Sequence, residues 1–125
     1  MTSQIKVDNI TSYTADSKTK IGRFNRTWRT ITADGSTGFT AKIGENIFVD
    51  TSGGTVTITL PASPVKGDEI NFVDASETFD TNALTLDRNG NNILGSAANL
   101  TVSTERAGFG LVYFDASNGW VYTQK

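Results

Sequence analysis

The chain contains neither cysteine nor histidine. A disulfide framework and a cysteine- or histidine-based zinc site are therefore excluded. So are a cysteine or serine nucleophile activated by histidine, and a histidine acid or base. Phosphate-binding glycine loops, dinucleotide fingerprints and G-x-S-x-G elbows are also missing. The sequence thus predicts a protein that is not an enzyme and holds no cofactor or metal.

Long apolar runs are missing as well. No stretch approaches the ~18 apolar residues of a membrane span, and the first thirty residues lack the apolar core of a secretory signal. We therefore expect no membrane insertion. The 125 residues, 37% of them hydrophobic, predict one globular domain with a modest core, which oligomerisation would help to stabilise.

The clearest pattern is a strict alternation near the middle of the chain. Thr55, Thr57 and Thr59 alternate with Val56, Ile58 and Leu60, as in a strand with one buried face. Paired glycines at residues 52–54 predict a tight hairpin before this strand, and Pro61 ends it. With a further strand over residues 70–73, the pattern predicts a β-meander.

The C-terminal region predicts a second hairpin. The aromatic-rich segments 109–114 and 120–122 flank the turn D-A-S-N-G. Aromatic residues on both strand faces require a second sheet or another subunit to cover them. We therefore predict an all-β fold, a small antiparallel β-sandwich or barrel of hairpins, with an extended N-terminal arm.

A short phrase recurs along the chain. Two large apolar residues, Asp, a small residue and Ser occupy positions 48–52, 72–76 and 113–117. Each phrase is typical of a strand end followed by an Asx or Ser/Thr turn. Because the intervals between them are unequal, we interpret the phrase as a recurrent corner and not as a solenoid repeat.

Residues 1–44 are predicted to form an arm and docking segment, and residues 45–125 the β-structured body. Residues 1–45 carry seven basic and four acidic side chains, while residues 46–125 carry four and nine, so the two parts attract each other. The alternation around Ile5, Val7 and Ile10 is typical of a strand that adds to a sheet edge, of an arm on a partner, or of a frayed terminus.

A cluster of arginines and aromatics follows this N-terminal alternation. Arginine interleaved with aromatics also occurs in single-stranded nucleic-acid binders, but the acidic body argues against nucleic acid. The favoured interpretation is an interface in which aromatics fill a groove and arginines pair with carboxylates. The predicted interface residues are Ile5, Val7, Ile10, Arg23, Phe24, Arg26, Trp28 and Arg29.

The stretch D-R-N-G-N-N at residues 87–92 has two interpretations. Asp and Asn recur as in a calcium loop, but glycine is in the fourth place and the twelfth residue is Ala98 instead of Glu. We therefore predict a plain Asn-Gly turn at Asn89 and Gly90.

Several of these motifs together resemble a known class of phage protein. The phrases M-T-S-Q-I-K-V-D-N-I, V-D-T-S-G-G-T-V-T-I-T-L-P, L-T-L-D-R-N-G-N-N-I-L-G and L-V-Y-F-D-A-S-N-G-W are similar to β-rich modules in tail-fibre and other virion structural proteins of aquatic tailed phages, cyanophages among them. The resemblance covers residues 1–10 and 45–122. It implies a homotrimeric surface projection of the virion, assembled in the host cytoplasm and attached to other virion proteins by its N-terminal arm.

The resemblance leaves two placements open, a capsid decoration knob and a short tail fibre, and the brevity of the chain favours decoration. In a fibre, the aromatics Tyr113, Trp120 and Tyr122 are expected to stack on sugar rings of the host surface. The alternative function is a free carbohydrate-binding module that recognises host surface glycans.

Overall fold

The computed structural model describes residues 27–35 and 38–124, which form nine β-strands and no helix. The strands are β1 (Trp28–Thr32), β2 (Phe39–Thr40), β3 (Asn46–Asp50), β4 (Val56–Thr59), β5 (Glu69–Asp74), β6 (Leu84–Asp87), β7 (Leu100–Val102), β8 (Gly108–Asp115) and β9 (Gly119–Gln124). The predicted all-β class is confirmed.

The strands form two sheets. One has the order β1-β3-β5-β8-β9 and the other has the order β2-β4-β6-β7. From β1 to β6 the chain alternates between the sheets, and the neighbouring strands β1, β3 and β5, like β2, β4 and β6, run parallel. The antiparallel pairs are β5 with β8, β6 with β7, and β8 with β9. The first six strands therefore stack as three coils, each with one strand in each sheet.

The predicted meander of antiparallel hairpins is wrong for this part of the chain. The turn at residues 52–54 does form, with a hydrogen bond from Gly54 N to Thr51 O (3.2 Å), but it carries the chain from β3 in one sheet to β4 in the other. A tight turn between two alternating strands has the same local sequence in a hairpin of one sheet and in a turn that leads to the opposite sheet. In both arrangements each strand buries one face. The unequal intervals of the recurrent phrase argued against a solenoid, but the first six strands stack in a solenoid-like way.

The core lies between the two sheets. The alternation of β4 is confirmed, since Val56 and Ile58 are buried while Thr57 and Thr59 are partly exposed. The strands β5 and β6 show the same period of two. The largest fully buried side chains are Trp120, Phe72, Phe79, Ile47, Ile58, Leu60, Ile70, Leu84, Leu86, Leu111, Val49 and Val56.

The first two copies of the recurrent phrase, at β3 and β5, have different environments. The parallel register pairs Phe48 with Val73 and Val49 with Asp74, so the second phrase is shifted by one residue against the first. A shift of one residue turns each side chain to the opposite face of the sheet. Phe48 is consequently 37% exposed on the outer face, whereas Phe72 is fully buried.

The C-terminal hairpin is confirmed. Strands β8 and β9 pair antiparallel, with irregularities in register near Leu111 and between Tyr113 and Asp115. Asp115 accepts hydrogen bonds from the backbone and side-chain nitrogens of Asn118 (2.7 and 3.1 Å) and closes the turn. The hairpin extends the sheet beyond β5 and leaves β1 and β9 at its two edges.

Candidate interaction surface

Two aromatic rings stack on the outer face of the five-stranded sheet. The ring centroids of Trp28 in β1 and Phe48 in β3 lie 4.6 Å apart, with an interplanar angle of 25°. Trp28 is 40% exposed. Stacked aromatics with this exposure are typical of contact surfaces, because large rings bury much apolar area when a partner covers them. We call the free side of β1, together with these two rings, the aromatic edge.

A row of asparagine amides runs beside the rings. Asn71 Nδ2 donates to Asn46 Oδ1 (3.0 Å), and Asn46 Nδ2 donates to the carbonyl of Thr27 (3.2 Å). These contacts cross the three parallel strands at one level, since Trp28 pairs with Asn46 and Asn46 with Asn71. The row therefore fixes the position at which the chain enters β1.

A groove continues from the rings across the sheet towards β9. It has a volume of about 330 Å³, and its lining includes Trp28, Asn71, Val73, Gly108 and Gln124. Strand β8 contributes Gly108 to this lining. In the same strand, a Cβ at Gly110 would overlap Oδ1 of Asn71 and Oγ1 of Thr123, so a larger residue there requires these side chains to move.

Arg29 is engaged within its own chain. Its Nη2 donates to the carbonyl of Thr40 in the opposite sheet (2.9 Å), and its Nε lies 3.4 Å from Glu45 Oε2. The side chain thus bridges the two sheets at the first coil. Of the eight predicted interface residues, Trp28 and Arg29 are described, and the other six lie outside the described residues.

The three predicted glycan contacts are on the core side of the C-terminal hairpin. Trp120 is fully buried, so its ring does not have the exposure that stacking on a sugar requires. Tyr113 meets Trp120 edge to face at 5.6 Å, and Tyr122 meets Phe109 edge to face at 5.9 Å. Glycan binding through the two partly buried tyrosines stays a prediction.

Among the described residues, the exposed aromatics are instead Trp28, Phe48 and Phe114. The Phe114 ring carries Lys66 Nζ at 4.1 Å from its centroid. Sequence reasoning identified Trp28 but missed Phe48 and the asparagine row. Their role depends on strand register, which no local pattern in the chain reveals.

The loop at residues 87–92 forms the predicted Asn-Gly turn. Asn89 and Gly90 both have positive φ (49° and 90°), as in a type I′ turn. Asp87 Oδ1 accepts a hydrogen bond from the backbone nitrogen of Asn89 (2.9 Å). Across the part of the chain that the structure describes, no group of three or more acidic side chains is placed to hold a metal ion.

A short two-sheet β body with an exposed aromatic edge defines a module suited to assembly with other proteins. A family model described as "Bacteriophage T4 gp9/10-like protein, N-terminal" matches residues 3–123. Because the match spans almost the whole chain, the protein belongs to this family and is a structural protein of the bacteriophage virion.

A search of curated proteins found no match. The described residues include no helix that is long and apolar enough to cross a membrane.

Proposed function

We propose that this protein is a non-enzymatic short tail fibre or tail projection, that it assembles as a homotrimer, and that its N-terminal residues attach it to the virion or to neighbouring copies. The observation that carries the proposal is the family match over residues 3–123. Membership of this family is compatible with a position on the tail and with capsid decoration, and the proposal takes the tail position.

The fold supports a role in assembly. Strands β1 and β2 pair with β3 and β4, so these two parts of the predicted arm belong to the sheets. The attachment role is therefore proposed for residues 1–26, which contain Ile5, Val7, Ile10, Arg23, Phe24 and Arg26. These residues carry five basic and two acidic side chains, whereas residues 27–125 carry six and eleven. Opposite net charges favour the docking of one part on the other, within or between copies.

Immunogold labelling of the source phage tests the placement. An antibody raised against the purified full chain should place gold on the tail. Gold spread over the head would overturn the tail assignment in favour of capsid decoration. A particle that carries no gold, while denatured particles react on a blot, would show that the epitopes are covered, and labelling of detergent-opened particles would then locate them.

Deletion of residues 2–20 tests the attachment. We expect the truncated protein to be lost from the particle while its body still folds and keeps the β spectrum of the full chain. A truncated protein that still enters particles at the normal level would contradict the proposal. Substitution of Phe114 by Ala, on the exposed surface of β8, is a control that should leave incorporation unchanged.

Sedimentation velocity tests the trimer. The expected mass is three times the 13.4 kDa of one chain. A protein that sediments as a monomer at every concentration tested would exclude the homotrimer, although tail labelling would still support a structural role.

A further inference from the structure

Strand β1 is an edge strand with a free side. Among the described residues, β3 is its strand partner, and the two run parallel with Thr30 opposite Phe48. The backbone nitrogen of Ala33 donates to Asp50 O (3.0 Å). Because backbone groups alternate along a strand, Arg29 and Ile31 also face β3, whereas Trp28, Thr30 and Thr32 direct their backbone N–H and C=O groups outward.

This edge lacks the usual protection against strand pairing. Proteins commonly guard edge strands with proline, with lysine or other charges, or with bulges. The segment W-R-T-I-T contains no proline. Its single charged residue, Arg29, contacts Thr40 of the opposite sheet and Glu45, and so does not guard the free edge. The free side is therefore a template for one further strand, and the Trp28 and Phe48 rings offer apolar contact beside it.

The chain itself supplies a matching segment. Within residues 3–10, S-Q-I-K-V-D-N-I, polar and apolar side chains alternate from Gln4 to Asp8, as expected of a short strand that rests one face on apolar surface. Sixteen residues, 11–26, separate this segment from the start of the described structure at Thr27. Fully extended they span roughly 50 Å, which is enough to reach another copy. The basic character of residues 1–26 suits the acidic remainder of the chain.

We infer that residues 3–10 of a neighbouring copy add a strand to the free side of β1, with Ile5 and Val7 against the rings of the aromatic edge. The inference rests on the proposed homotrimer, because the strand is exchanged between copies. It explains why the rings of Trp28 and Phe48 are exposed on an isolated chain and how a short arm holds subunits together through main-chain hydrogen bonds.

Engineered cysteines test the inference, since the chain has no cysteine of its own. Side chains on adjacent strands form a disulfide only when they project from the same face, with Cα atoms about 4.4–6.8 Å apart. We expect Thr30→Cys combined with Ile5→Cys or Val7→Cys to give covalent dimers and trimers on oxidation. The matched control, Thr30→Cys with Lys6→Cys, projects from opposite faces and should stay largely uncrosslinked.

Three results of the cross-linking would overturn the inference. Equal cross-linking by positions 5, 6 and 7 would indicate a tether without strand pairing. A bond formed within one chain, seen as a monomer of altered mobility, would show that the segment docks on its own copy. The absence of cross-links in an otherwise trimeric protein would remove the segment from the edge.

A proline at the edge provides an independent measurement. Thr30→Pro removes an outward N–H that makes no bond to β3, while Thr30→Val keeps the N–H and the branched shape. We expect Thr30→Pro to sediment as a folded monomer where the wild type and Thr30→Val are trimers. If Thr30→Pro still sediments as a trimer while immunogold labels the tail, the strand addition is refuted and the proposed function stands. If the wild type is a monomer, the trimer itself is refuted.

Discussion

At the scale of single residues, Gly110 shows how little room the outer face of the sheet leaves. Its φ is not positive, so the restriction is one of space: a Cβ would overlap Oδ1 of Asn71 and Oγ1 of Thr123. Asn71 is held by Asn46 and does not yield easily. We expect Gly110→Ala to destabilise the protein by roughly 1–3 kcal/mol, measured as a lower melting temperature.

The control for this prediction is Gly108→Ala in the same strand. A Cβ there would lie 4.0 Å from Val73 Cγ2, which is an ordinary contact. Gly108→Ala should leave the melting temperature nearly unchanged. Similar melting temperatures for the two variants would show that Asn71 and Thr123 move aside at little cost.

Two surface aspartates should make stability depend on pH. Hydrogen bonds from the Ser52 side chain (2.7 Å) and backbone (2.9 Å) lower the pKa of Asp50. The backbone N–H of Asn118 is the main cause of the lowered pKa of Asp115. A carboxyl whose pKa is lower in the folded state stabilises the protein above its unfolded pKa, and the benefit disappears as the pH falls through the folded value.

We therefore expect the melting temperature to fall as the pH is lowered below about 4, the ordinary pKa of aspartate. The double variant Asp50→Asn/Asp115→Asn should be less stable than the wild type at pH 7, and the difference should shrink in acid. The measurement is thermal unfolding at a series of pH values. A difference that stays constant over the series would contradict the assignment.

At the scale of structural elements, Asp74 joins three segments at the end of β5. It is 5% exposed, and its carboxylate accepts hydrogen bonds from the backbone nitrogens of Thr78 (3.2 Å), Phe79 (3.1 Å) and Arg106 (3.0 Å). We expect Asp74→Ala to cost roughly 2–4 kcal/mol, because each backbone donor that loses its partner costs about 1–3 kcal/mol and the losses are not additive. Denaturant unfolding measures the change.

The comparison for Asp74 is an aspartate with one such bond near the surface. Asp87→Ala removes only the hydrogen bond from the backbone nitrogen of Asn89, and it should cost about 1 kcal/mol or less. If the two variants unfold at the same denaturant concentration, Asp74 does not hold the corner together.

At the scale of the whole molecule, charge is distributed unequally along the chain. Residues 1–26 have a net charge of +3 and residues 27–125 a net charge of −5. Raising the ionic strength from 0.1 to 1 M shortens the Debye length from about 10 Å to about 3 Å. We therefore expect the trimer to dissociate more readily as NaCl is added, as seen by sedimentation velocity over a dilution series.

A charge variant provides the matched comparison. Lys18→Gln with Lys20→Gln reduces the net charge of residues 1–26 from +3 to +1 and should weaken both the association and its salt dependence. If salt changes the association of neither the wild type nor the variant, opposite charges do not hold the copies together.

The local elements of the fold follow from sequence reasoning. The alternation around Ile58, the hairpin over Asp115 and the turn at Asn89 and Gly90 were all predicted and are all present. Each depends on side-chain period or turn chemistry within a few neighbouring residues. The all-β class follows from the same local signals.

Tertiary structure alone decided how these elements combine. The partners of β3 lie 18 and 25 residues away in the chain, and a turn between alternating strands does not specify whether the next strand joins the same sheet. A shift of one residue between parallel strands exposes Phe48 and buries Phe72, and Trp120 is buried in the core cluster. The chain therefore determines by itself where strands and turns form, while the register and pairing of distant strands determine which aromatics reach the surface.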